Sequence, residues 1–190
     1  MTIYRLRPDC ENYMSFHISN DEIIYKMGED MMIHFDPTPH EYTSVWKKPD
    51  AEFYKPDNFS NANKIPDITT WAYYLVLNEK AYKKLSATLE SHGEFLPVNC
   101  EGYIYYLLNT LVIADTIDAV DHEQSDRDIQ DGVYMGLKKL SFKENNLKDN
   151  ILFKTEYDYT PVFCTDKFKK IIDKENLKGL IFRTDLEGTI

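Results

Sequence analysis

The stretch Leu75-Val76-Leu77-Asn78-Glu79-Lys80-Ala81-Tyr82-Lys83-Lys84-Leu85 carries two periodicities back to back. Residues 73–77 form an apolar run of strand length, and from Asn78 onward the apolar positions Tyr82, Leu85 and Leu89 fall three and four apart. That change predicts a strand feeding directly into a helix over residues 78–91, with Asn78 as cap, Glu79 in the first turn and Gly93 as the stop. Residues 161–171, Pro161-Val-Phe-Cys-Thr-Asp-Lys-Phe-Lys-Lys-Ile171, align with 75–85 without a gap. Cys164 stands opposite Asn78 and is a poor cap, so Thr165 takes over, with Asp166 in the first turn and Phe168, Ile171 and Ile172 facing inward. The echo reads either as a duplicated supersecondary unit or as chance likeness between two amphipathic helices.

Outward from these units, residues 94–99 and 103–113 read as a central hairpin turning at Glu101-Gly102, its second strand rich in aromatic and β-branched residues. Further strands are expected at 2–7, 21–26, 136–142, 151–154 and 179–182, with Asn145 and Asn146 in a polar turn. Between 35 and 66, Pro37, Pro39, Pro49 and Pro56 forbid long helices. The aromatics Phe35, Tyr42, Trp46, Phe53, Tyr54 and Phe59 make this segment a loop packed on the body, with a partner-binding loop as the alternative. The expected architecture is α+β: mainly antiparallel sheet, two amphipathic helices and a proline-rich, loop-rich N-terminal region. Residues 1–190 are expected to form a single domain, with 1–64 as the N-terminal strands and loops and 65–190 as the body.

At 190 residues and 28% charged side chains, the chain is long enough to bury about 70% of its unfolded surface and is of ordinary globular composition. Its formal charge of −10 argues against a generic nucleic-acid or anionic-membrane binder and favours a basic partner. The charge is uneven: −4 over residues 1–64, −8 over 65–136 and +2 over 137–190. The start of the chain lacks an apolar core of signal-peptide length, and the longest apolar stretch, 103–114, is too short to span a membrane; a cytoplasmic location is the expectation. Cys10, Cys100 and Cys164 match neither a disulfide framework nor a zinc pattern and read as core or near-surface thiols.

The strongest local signal is acidic. Asp115, Asp118, Asp121, Glu123, Asp126, Asp128 and Asp131 are relieved within their own segment only by Arg127 and His122. The spacing departs from a calcium loop, and exposed, mutually charged carboxylates do not suit glycoside hydrolysis. Two readings stay open, a solvated acidic loop and an electrostatic docking face for a cationic partner. GxGxxG, Walker, GxSxG and HExxH motifs are all missing, so no catalytic, cofactor-binding or metal-ligating residue is assigned and no cofactor is expected.

The order of motifs is more informative than any one of them. Pro66-Asp-Ile68, Tyr74-Leu-Val-Leu-Asn-Glu-Lys80, the hairpin at 103–111, Ile117-Asp-Ala-Val-Asp121 with Ser125, Val162-Phe-Cys-Thr-Asp166 and Gly179-Leu-Ile-Phe182 together resemble an immunity-protein family of bacterial polymorphic toxin systems. That family was formerly a domain of unknown function and is named for a myxobacterial member. The resemblance runs from Pro66 to Phe182 and implies a cytoplasmic antidote that binds and neutralises a toxin encoded nearby and does no chemistry of its own. It transfers no binding residues. The charge argument points instead to Asp118, Asp121, Glu123, Asp126 and Asp128, facing a basic, nuclease-type toxin domain. Asp118, Asp121 and Ser125 match the family pattern and can equally be turn or cap residues. The competing reading is a small hydrolase or transferase assembled from dispersed residues such as His34, Asp36 and His122, and a non-inhibitory scaffold or adaptor is a third.

Overall fold

In chain order the elements are β1 (Ile3–Pro8), β2 (Ser15–His17), α1 (Asn20–Met27), β3 (Asp50–Tyr54), β4 (Ile68–Trp71), β5 (Tyr74–Leu77), α2 (Glu79–Leu89), β6 (Gly93–Cys100), β7 (Tyr103–Thr110), β8 (Asp126–Gln130), β9 (Val133–Lys139), β10 (Leu152–Thr155), β11 (Asp158–Thr165), α3 (Asp166–Lys174) and β12 (Leu180–Arg183). This computed structural model describes residues 1–187 except Met32, Asn58 and Ser60. The strands make a six-stranded sheet ordered β2-β3-β6-β7-β5-β4, a four-stranded sheet ordered β10-β11-β1-β12 and the hairpin β8-β9. Pairing is antiparallel except between β3 and β6, so the protein is α+β with mostly antiparallel sheet.

Strand β5 explains why an unbroken apolar run was needed. Leu75 and Leu77 point into a core shared with α2, α3 and the four-stranded sheet, while Tyr74 and Val76 point into a second core against α1 and the N-terminal loops. A strand buried on both faces has no polar position to alternate with. Strand β11 does the same: Val162 and Cys164 join the first core, and Phe163 joins a third with Phe153, Ala119 and Val120. Both helices press on the first core, through Ala81, Leu85 and Leu89 of α2 and Phe168 and Ile172 of α3.

The two sheets share a topology that deepens the sequence echo. β4-β5-α2-β6 with β7 between β5 and β6 corresponds to β10-β11-α3-β12 with β1 between β11 and β12. Each is a hairpin continued by a split β-α-β crossover, and β1, from the opposite end of the chain, fills the place that β7 holds in the other sheet. The Asn78 side chain accepts from the Ala81 N–H at 2.8 Å, and the second helix starts one aligned position later, with Cys164 still in its strand and Thr165 at the N-cap position but its buried hydroxyl making no capping hydrogen bond.

Residues 21–26, expected as a strand, are helix α1. Ser19 accepts from the Glu22 N–H at 3.2 Å, Asp21 and Glu22 sit in the first turn and Lys26 in the last, and Gly28 closes the helix at φ 97°. The adjacent β-branched Ile23 and Ile24 suggest a strand, but a Ser-x-x-Glu cap with charges ordered along the dipole outweighs two β-branched side chains. Strands β2, β3, β4 and β8 also lie outside the expected set. The first three are short and gain their definition from neighbours distant in sequence. Residues 136–142 and 151–154 do form strands in part, but β9 pairs with β8 and β10 with β11, and the polar turn between them is a 3-10 turn, Glu144–Leu147. Within the proline-rich segment Tyr42, Phe53 and Ala62 are buried, whereas Phe35, Tyr54 and Phe59 are exposed.

Candidate partner interface

The acidic segment begins at the end of β7, where residues 112–114 run beside β10: the Lys154 N–H donates to the Val112 carbonyl and Ala114 donates to the Lys154 carbonyl, both at 2.8 Å. A 3-10 turn, Asp115–Ile117, then reverses the chain, with Asp118 left-handed at φ 52°. Asp115 is structural: one carboxylate oxygen accepts from the Glu156 N–H at 2.7 Å and the other is buried. Asp121 accepts from both the backbone and side-chain amides of Gln124, three residues on, at 3.2 and 3.0 Å, which fixes the local turn. Ser125 accepts from the Ser141 N–H and donates back to its carbonyl.

Beyond Ser125 the chain enters the β8-β9 hairpin rather than a loop, because Asp131-Gly132 supplies two consecutive positive φ angles, 50° and 80°, and so a tight reversal. Asp126 and Asp128 lie on β8, with Asp126 exposed and Asp128 half-buried. Arg127 anchors the hairpin: it lies 4.7 Å from the Tyr157 ring and donates to the Glu156 and Tyr157 carbonyls. The local count of one permanent cation is corrected by the tertiary structure. Lys143 meets Asp118 at 2.6 Å and Lys138 meets Asp126 at 3.1 Å, both solvent-exposed pairs brought from the basic C-terminal third. Such pairs are weak, typically under about 1 kcal/mol, so these carboxylates stay open to exchange for another cation.

The sequence reading missed the apolar half of this surface. Ile129, Val133 and Met135 are each more than half exposed, and Tyr134 is exposed beside them. Ile129 pairs with Tyr134 and Val133 with Gln130, so these exposed apolar side chains divide between the two faces of the hairpin, beside Asp126, Asp128 and Asp131. The apolar run at 133–135 was visible in the sequence, but its exposure was not, and without that it is indistinguishable from a core strand.

The dispersed enzyme-like residues are not brought together. His34 packs on Phe35 and Trp71 with both ring nitrogens buried and unpartnered, and burial lowers its pKa. Asp36 accepts from the Thr38 N–H and lies 3.6 Å from His40. His122 stacks on Tyr157. No hydrogen bond or ring contact joins the three among the described residues. The Cys100 thiol is pushed up to about 11 by burial and Cys164 well above its ordinary value, so neither is an activated nucleophile. No group of three or more potential metal ligands converges among the described residues, and no helix there is long and apolar enough to cross a membrane.

Fold and surface together define an α+β protein with exposed apolar side chains beside acidic ones on the β8-β9 hairpin. Residues 96–185, from β6 through the end of β12, match the model of the Immunity protein family (Imm11). The match agrees with the family that the motif order resembles, although it leaves out residues 66–95, which the resemblance included. No curated protein matches the chain. The matched family is one of immunity proteins, and the match covers 90 of the 190 residues.

Proposed function

We propose that this protein is a cytoplasmic antidote that neutralises its toxin stoichiometrically, by occlusion, through the surface running from Asp118 to Met135. Ile129, Val133, Tyr134 and Met135 supply water-excluding contacts on the two faces of the hairpin, and Asp118, Asp121, Glu123, Asp126 and Asp128 the acidic charge that steers a basic, nuclease-type toxin domain. The observation that carries this reading is the coincidence, on one hairpin inside the family-matched region, of exposed apolar side chains with the densest acidic stretch of the chain. The test is co-expression with the C-terminal region of the large reading frame beside its gene, followed by binding kinetics over a salt series. Rescue of growth and a stable complex are expected, with an on-rate falling at least tenfold between low and high salt. Asp118→Asn, Glu123→Gln and Asp126→Asn combined should flatten that dependence, and Val133→Ser with Met135→Ser should raise the dissociation rate. An on-rate indifferent to salt and to these substitutions would remove the electrostatic mechanism.

A further inference from the structure

Three of the chain's four arginines, Arg5, Arg7 and Arg183, line one groove of about 410 Å³ on the outer face of the four-stranded sheet. Their convergence follows from register. Arg5 and Arg7 are two apart on β1 and so share a face, and Arg5 lies directly opposite Arg183 on β12. Cross-strand neighbours have Cβ atoms about 5 Å apart, so like charges at this pair repel unless something lies between them. Arg5 is only 7% exposed, and the Asp158 and Asp185 carboxylates lie near enough to favour its charge. Burial, and next to it the Arg7 charge, holds its guanidinium below the ordinary value. Two arginines held across one rung of the ladder concentrate positive charge on the groove between them, which suits an anion.

We propose that this groove binds a phosphate-bearing small ligand, with Arg5 and Arg183 gripping the phosphoryl oxygens. The geometry favours a phosphoryl group over a carboxylate. A carboxylate matches one guanidinium in bidentate fashion, whereas a group with two or more charges and three or more acceptor oxygens can bridge several. Glu11 and Asp185 line the same groove, so a ligand there has to outcompete carboxylates already present. Beyond Arg5 and Arg7 a second hollow of about 190 Å³ continues to Tyr73, whose half-buried ring offers a stacking wall for whatever the phosphate is attached to. This inference stands on the arginines and not on the toxin-binding reading.

Titration calorimetry of the purified full-length chain with sodium pyrophosphate, at ionic strength held constant with sodium chloride, is the test. Saturable one-site binding with a sub-millimolar Kd is expected, weakened at least tenfold in Arg5→Met and in Arg183→Gln and unchanged in Lys83→Met on α2. Arg5 is buried, so thermal melts accompany each variant, and the exposed Arg183 supplies the decisive comparison if Arg5→Met does not fold. ADP binding more tightly than pyrophosphate would support a nucleotide, and equal affinity the phosphate group alone. Absence of saturable binding, affinity unaltered in Arg183→Gln, or malonate binding as tightly as pyrophosphate would each overturn the proposal.

Discussion

At Lys154 the charge sits where charge is least welcome. Its side chain is 1% exposed on β10, with Nζ 3.2 Å from the Pro37 carbonyl and 5.7 and 6.0 Å from the Tyr73 and Tyr74 rings. Burial lowers its pKa from 10.5 to about 8, outweighing the distant carboxylates Asp158 and Asp36. Below pH 8 the folded protein bears the full cost of the buried charge, about 3 kcal/mol. Between 8 and 10.5 the unfolded chain holds the proton that the folded chain has released, so this residue makes stability rise with pH across that window. Lys154→Met removes the cost together with the Pro37 hydrogen bond. Its stability relative to wild type is expected to be greatest near pH 7 and to fall by about 3 kcal/mol as pH approaches 10.5, since titrations elsewhere cancel in the difference. Denaturant melts of both proteins from pH 7 to 10.5 measure this, and a pH-independent difference would contradict the buried charge. Lysine in an otherwise apolar strand pattern gave no hint of this, because its burial depends on a loop more than a hundred residues earlier.

Among the elements, the β6-β7 hairpin bears the tightest geometric demand. Gly93 opens β6 opposite Thr110, and a Cβ there would run into the Asn109 carbonyl, a backbone atom held by the ladder. Gly93→Ala is therefore expected to cost about 3 kcal/mol, read as a lowered denaturant midpoint at unchanged slope. The sequence marks Gly93 as a helix stop, but α2 ends at Leu89 with Glu90 as its cap, and the glycine is needed instead for close strand approach. Helix α2 itself was legible because capping and a 3.6-residue period act within the segment. Helix α1 was not: at eight residues with one buried side chain, its apolar signal is weaker than its cap. Between α2 and α3 the Lys84–Glu175 pair, 2.9 Å and partly exposed, contributes little beside the leucine and phenylalanine packing beneath it.

Across the whole molecule, the N-terminal region is interleaved with the rest. β1 pairs with β11 and β12, and β3 with β6, so residues 1–64 supply strands to both large sheets. We expect residues 1–190 to unfold as a single cooperative unit. Coincident transitions by far-ultraviolet circular dichroism and tryptophan fluorescence would bear this out, since Trp46 and Trp71 both report on the N-terminal core. Two separated transitions would instead divide the chain into lobes. The α+β class, the central hairpin, both strand-to-helix units and the acidic character of residues 115–131 were all legible in the sequence, because each rests on patterns a few residues long. Long-range contacts supplied the rest: the permuted match between the two sheets, the lysines that meet Asp118 and Asp126, the exposure of the apolar side chains of β9 and the arginines gathered on one face. Each depends on which strands become neighbours, and strand pairing is set by burying the two faces of β5 and β11 together, a condition that no local segment contains.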